Sequence, residues 1–93
     1  MHEITGGDEE LLAQLMVDLK ASLSTSVELL RAASDQDWGA CAHRLKGGAL
    51  AMGAERIAAL AASAEEDAPP SAGRRAQVMR DVDAAFADIF AGT

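Results

Sequence analysis

Three observations predict an all-α fold, an antiparallel up-down-up-down bundle of four helices. Apolar residues recur at steps of three and four in four separate segments, the spacing that gathers side chains on one helix face. No alternating run of β-branched residues bounded by turn residues appears in the sequence. The segments are separated by short polar or proline-containing stretches, and short loops join antiparallel neighbours. A chain of 93 residues is long enough for one such domain with one core, and it shows no internal repeat.

Residues 1–7 read as a tail or the end of a linker, and residues 8–91 as the bundle. Gly6-Gly7-Asp8 reads as a helix start, with Asp8 as N-cap and Glu9 and Glu10 in the first turn, where the helix dipole favours them. The first helix carries Leu12, Leu15, Met16, Leu19, Leu23, Val27 and Leu30 on one face and runs to Ala33. Two courses are open to it: an unbroken run, or a kink near Ser22-Leu23-Ser24-Thr25-Ser26, where helix propensity is weak and hydroxyls can bond back to the backbone. Ser34-Asp35-Gln36-Asp37 is the next start, with Ser34 as N-cap and Asp37 in the place of a capping-box acid. The second helix extends to about Met52, and Gly53 supplies the left-handed cap. A third helix, Ala54 to Asp67, turns Ile57, Leu60, Ala61 and Ala64 inward. Ala68-Pro69-Pro70-Ser71 stops it, because proline can neither donate nor continue the helix. Ser71 then caps a fourth helix that carries Val78, Val82, Ala85, Phe86 and Ile89 to about Ala91.

Composition narrows the class. Hydrophobic residues make up 49% of the chain, but many are alanine, and aromatics are one Trp and two Phe. The helices should therefore pack closely around a few large anchors. No run of about 20 apolar residues is present, so no membrane span is expected. The start MHEITGGDEE is acidic and polar, unlike a secretory signal. A net charge of −7 disfavours nucleic acid and anionic membranes, which need clustered Lys and Arg. Cys41 is the single cysteine, so no internal disulfide can form, and it reads as a partly buried, inert thiol. His2 and Cys41 are the only other nitrogen or sulfur ligands available beside His43, which argues against zinc. Glu65-Glu66-Asp67 reads as a solvated helix end rather than a cation site, although acids at a C-terminus oppose the dipole.

The second helix has two distinct faces. Trp38, Ala42, Leu45, Ala49 and Met52 form the buried stripe; Gly39, Ala40, His43, Lys46, Gly47 and Leu50 form the opposite one. His43 thus points away from the core, with Lys46 one turn further on. Gly39, Gly47 and Gly48 lie inside the helix, where each glycine loses about 1 kcal/mol relative to alanine. Two readings account for them equally well on spacing alone. Either a neighbouring helix approaches closely, or something large must reach the imidazole.

The stretch AHRLKGGALAMG, residues 42–53, resembles the signature of histidine-containing phosphotransfer (HPt) domains. That signature is Ala-His-x-Leu-Lys-Gly followed by small and apolar residues and then Gly-Ala. It is met by Ala42, His43, Leu45, Lys46, Gly47, Gly53 and Ala54. The likeness covers about residues 5–90: TGGDEELL is similar to the family's lead-in, and Glu65-Glu66 falls where its Leu-Glu pair closes the third helix. The connection before the His helix is about one turn shorter than is usual in the family. The Gly-Gly-Asp lead-in and the end soon after Phe90 resemble the C-terminal module of a hybrid sensor histidine kinase.

The resemblance implies a phosphorelay carrier. His43 would take a phosphoryl group from an aspartate of a receiver domain and pass it to a response-regulator receiver. The receiver would bring the Mg²⁺ and most of the catalytic groups, and the chain would need no cofactor of its own. The location implied is cytoplasmic, as the cytoplasmic end of a membrane-bound sensor kinase. The residues themselves fit this chemistry. A histidine of ordinary pKa, near 6.5, has its nucleophilic neutral form available at cytoplasmic pH. The Lys46 charge favours the neutral ring and then offsets the charge of the bound phosphoryl. No GxxxxGK[ST] loop or dinucleotide fingerprint is present, so the chain should not make its own phosphoryl donor. Arg44, about 100° round the helix from His43, is expected to help dock the partner. Gly47 leaves room for the receiver, and Gly39, Ala40 and Leu50 complete the docking rim. The alternative is a helical docking or dimerisation module that carries no phosphate; the presence of His43 favours the carrier.

Overall fold

A computed structural model describes the backbone of residues 2–91 and the side chains of residues 9–90. The helices are α1 (His2–Ala32), α2 (Trp38–Met52), α3 (Glu55–Glu66) and α4 (Ala72–Ala91), and among the described residues there is no strand. Consecutive helices pack against each other, most extensively α2 on α3. This is the four-helix bundle that the periodicity predicts.

The helix ends follow local chemistry. The Ser34 hydroxyl accepts the Asp37 N–H at 3.1 Å, as a cap does, but residues 35–37 are spent on reversing the chain and regular helix begins at Trp38. Asp37 is the flanking residue and makes no side-chain cap bond. At the other end of α2, Gly53 takes φ 74°, and the N–H groups of Gly53 and Ala54 bond to the Leu50 and Ala49 carbonyls at 3.1 and 2.8 Å. This paired arrangement closes α2 and needs the left-handed residue. Ser71 Oγ accepts the Arg74 N–H at 3.1 Å and caps α4. The last carbonyls of α1 are met from another helix. Arg75 of α4 donates to the Ala33 and Arg31 carbonyls at 2.6 and 3.3 Å, pairs with Asp35, and lies 4.6 Å over the Trp38 ring. A cation at a helix C-terminus is favourable, so this one side chain ties α4 to the α1–α2 turn.

α1 differs from expectation at two points, its start and the cover of its apolar face. It starts at His2 rather than at Asp8, so from His2 onward the expected tail continues the helix. Gly6 and Gly7 weaken a helix by about 1 kcal/mol each, but nothing there removes a hydrogen bond as proline does. The side chains of His2 and Asp8 lie outside the described residues, as does Met1. Thr25 does bond back to the Ala21 carbonyl at 3.0 Å, and of the two courses open to it α1 takes the unbroken one. The apolar face is also only half covered. Leu23, Val27 and Leu30 are buried, whereas Leu12, Leu15 and Met16 are exposed, because the other helices are shorter and the described residues do not cover the first half of α1.

The core joins those three α1 residues to Trp38, Ala42, Leu45 and Ala49 of α2, Ile57, Ala58, Ala61 and Ala64 of α3, and Val78, Met79, Val82 and Ala85 of α4. The alanine rows of α2 and α3 let the two helices approach closely around the fully buried Trp38, whose Nε1–H donates to the Ala64 carbonyl at 3.2 Å. Met52, Leu60 and Phe86 pack on the margin of this core, and Ile89 is exposed, in contrast to its expected inward position. The outcome is a rigid α2–α3 hairpin that presents the outer stripe of α2.

Candidate functional site

The site is built on two helices. Burial of Ala42, Leu45 and Ala49 fixes the rotation of α2, which turns His43 outward with 66% of its side chain exposed. α3 runs back alongside and brings Glu65, in its last turn, level with His43. Glu65 Oε2 lies 3.0 Å from His43 Nδ1, and Oε1 accepts a hydrogen bond from Lys46 Nζ at 3.2 Å. One carboxylate therefore contacts both His43 and Lys46 of α2.

Electrostatics set the roles in this triad. The Lys46 hydrogen bond is the main influence holding the Glu65 carboxyl below its ordinary value, with the charges of His43 and Lys46 acting in the same direction and partial desolvation opposing them. Glu65 is thus ionised at neutral pH. An ionised carboxylate can only accept, so Nδ1 of His43 donates to it, and in the neutral form of the ring Nε2 then holds the lone pair. That leaves Nε2 on the open side of the ring as a nucleophile.

The surroundings of the ring differ from one side to the other. A Cβ placed on Gly47 would meet nothing within 4 Å, and Gly47 opens onto a groove between α1 and α2. Ser22, Thr25, Leu29 and Arg44 also line that groove, and Arg44 is exposed. Ala40 and Leu50 are exposed on the same helix, Leu50 by 62%. Gly39 is placed otherwise. A Cβ there would stand 3.3 Å from the Ala68 side chain, tighter than ordinary contact, so this glycine admits the α3–α4 connection. Gly48 faces Leu23 of α1 at an ordinary contact distance. Of the two readings of the glycines, close packing describes Gly39 and open space describes Gly47.

Glu65 is the member of this cluster that sequence reasoning misses, since with Glu66 and Asp67 it reads as a solvated helix end. The signal was available, because His43 and Glu65 are equally distant from Ala54 at the hairpin turn. Asp67 instead pairs with Arg74 at 2.7 Å, and Cys41 is half-buried beside the core. Among the described residues, no three His, Cys, Asp or Glu side chains are grouped so as to hold a metal ion, and no helix is long and apolar enough to cross a membrane.

A family model described as Hpt domain matches residues 10–90. No curated protein and no solved structure matches the chain.

Proposed function

The chain belongs to the Hpt domain family, whose members carry phosphoryl groups in phosphorelays with receiver domains, and from that premise we propose that His43 Nε2 is the atom that carries it here. The observation behind this reading is the His43–Glu65 contact, which holds the proton on Nδ1 and leaves Nε2 free at the surface. In the forward step, the Nε2 lone pair attacks the phosphorus of a receiver phospho-aspartate. The N–P bond forms as the P–O bond to the aspartate breaks, and the aspartate leaves as a carboxylate. The ring then bears positive charge, since Nδ1 keeps its proton, and the Glu65 carboxylate 3.0 Å away stabilises it. In the return step a second receiver aspartate attacks the same phosphorus, the N–P bond breaks, and the neutral ring is restored.

The α2 stripe supplies positioning and access. Lys46 holds Glu65 against the ring and places a cation one turn from the phosphoryl group. Gly47 lets the partner's backbone come close to Nε2, and in-line transfer needs reacting atoms within about 3–3.5 Å. Ala40, Leu50 and Arg44 form the surrounding rim, with Arg44 and the hydroxyls of the α1–α2 groove as polar contacts. The receiver supplies Mg²⁺, which neutralises phosphoryl charge during transfer, and the exchange takes place in the cytoplasm.

Incubation with a phosphorylated receiver domain tests the assignment. Acid-labile phosphate should appear on the wild-type chain and not on His43→Gln, whose circular dichroism should be unchanged because the side chain is exposed. Label on a folded His43→Gln protein would overturn it.

A further inference from the structure

Among the described residues, Arg44 is the one lysine or arginine without a partner. Arg31, Lys46, Arg56, Arg74 and Arg75 each hold a carboxylate, Arg80 donates to Gln77, and Lys20 lies over the Phe90 ring. Arg44 is exposed, and no hydrogen bond, ion pair or ring contact engages it. With 15 acidic against 8 basic side chains, carboxylates are in excess, so the fold keeps them from this one cation. The groove that Arg44 lines holds a second unpaired group. Ser26 is buried, only 6% exposed, and its hydroxyl has no hydrogen-bond partner among the described residues. No polar atom among them is both sealed from solvent and unpaired, so the Ser26 hydroxyl still reaches solvent, and the groove is the opening that Ser26 lines. A nearly buried hydroxyl without a partner leaves a hydrogen bond to be filled. Ser22 adds a free hydroxyl at the rim, whereas the Thr25 hydroxyl already donates to the Ala21 carbonyl. A guanidinium with two free hydroxyls is a set of donors, and a set of donors takes an anion.

The reading of His43 as the carrier, on which this inference rests, selects the anion. Gly47 lines the same groove and leaves open the space one turn from His43. A receiver backbone that passes over Gly47 to reach Nε2 carries a neighbouring side chain into the groove. The phosphoryl group is served on the other flank. Lys46 and Arg44 lie on opposite sides of His43 around α2, Lys46 toward Glu65 of α3 and Arg44 in the groove with α1. We infer that the α1–α2 groove receives an aspartate or glutamate side chain of the receiver, paired with Arg44 and hydrogen-bonded by Ser26, and that Arg44 thereby selects which receivers exchange phosphate with this chain. The net charge of −7 repels acidic partners in general. A single carboxylate set opposite Arg44 therefore separates a receiver that docks from one that does not. Arg44 is on this account a specificity residue: it acts on docking and leaves the chemical step at His43 alone.

Transfer kinetics with a receiver domain phosphorylated by acetyl phosphate separate docking from chemistry. Arg44→Gln should raise KM for the phosphorylated receiver about tenfold and leave kcat within about twofold, the mark of an interaction equal in ground and transition states. Ser26→Ala should raise KM about fivefold, the scale of one hydrogen bond. Both proteins should melt with the wild type, since neither side chain loses a contact within the chain. Raising NaCl from about 50 to about 500 mM should raise the wild-type KM and narrow its gap from Arg44→Gln. Arg44→Glu should dock more weakly still. Changing the receiver's acidic side chains outside its Mg²⁺ site to lysine, one at a time, should yield one variant that restores KM for Arg44→Glu. An unchanged KM in Arg44→Gln or in Ser26→Ala would overturn the inference. So would a fall in kcat at constant KM, which places Arg44 on the phosphoryl group, or the absence of any restoring receiver variant. The carrier assignment is read separately in the same assay by label on the wild type and none on His43→Gln. A wild type that takes no label would remove that assignment and this inference with it.

Discussion

His43 and Glu65 stand level across the α2–α3 hairpin, with Nδ1 3.0 Å from Oε2, and this contact decides which ring nitrogen is free. The hairpin turn places it there. Gly53 closes α2 in the left-handed conformation, and the antiparallel return of α3 brings together residues equally far from Ala54. The alanine rows on the facing sides of α2 and α3 keep the helices close enough for a glutamate to reach an imidazole and a lysine at once.

Glu65 acts through His43, so its loss should alter the ring before it alters the fold. Glu65→Ala should slow phosphoryl acceptance about tenfold, a fraction of the ~100-fold cost of a 1 Å misplacement. Nitrogen NMR of the ring should show the proton confined to Nδ1 in the wild type and shared between both nitrogens in Glu65→Ala. Glu65→Gln keeps an acceptor for Nδ1 but no charge, and should hold the ring while transferring more slowly than wild type. A ring signal identical in all three proteins would remove Glu65 from the mechanism.

Lys46 has a measurable effect on Glu65 whatever its part in transfer. Its hydrogen bond is the leading reason the Glu65 carboxyl titrates below the ordinary 4.5. Lys46→Met should move the Glu65 midpoint upward, as read by carboxyl carbon shifts. The sign for stability follows: a carboxyl whose folded value is depressed contributes stability above its unfolded value, and loses it as pH falls through the folded one. The stability gap between wild type and Lys46→Met should therefore be constant at neutral pH and close below about pH 4.5. Transfer should slow by about tenfold without being abolished. An unmoved Glu65 midpoint would contradict the coupling.

How much of this was legible in the sequence depended on what each signal measures. Periodicity reports which residues share a helix face, and it placed His43, Lys46 and Gly47 on one outward stripe because that needs only the 3.6-residue repeat. It does not report what lies opposite. Leu12, Leu15 and Met16 fit the same apolar repeat as Leu23 and Leu30, and only the lengths of the other helices show that the described residues leave them exposed. Glu65 was hidden for a related reason: an acidic helix end reads as solvated until the facing helix is known to carry a lysine and a histidine at that level. Caps were read well where a hydroxyl or a glycine was specific, as at Ser71 and Gly53. Asp8 misled because a good cap residue permits a helix start without requiring one.

Gly39 should behave as a packing glycine. Its missing Cβ would stand 3.3 Å from the Ala68 side chain, so a large residue has no room there. Gly39→Leu should lower stability by about 1–3 kcal/mol, the usual range for overpacking. Thermal or urea melts check this, and a Gly39→Leu protein as stable as wild type would place the residue on open surface.

Gly47 should respond in the opposite way, because a Cβ there meets nothing within 4 Å. Gly47→Ala removes the entropic cost of glycine inside α2 and should gain roughly 0.5–1 kcal/mol. Gly47→Gln should also be at least as stable as wild type, since its side chain extends into the α1–α2 groove beside Arg44 rather than into the core. Both should lose transfer, Gln more than Ala, because bulk one turn from His43 holds a phospho-aspartate out of line with Nε2. Misplacement by about 1 Å costs ~100-fold, so Gly47→Gln should fall by that order while its melting point holds or rises. Melts and transfer rates measured on the same two proteins separate stability from access. A stable Gly47→Gln chain that accepts phosphate at the wild-type rate would mean that the receiver approaches Nε2 from the α3 side of the ring, past Glu65.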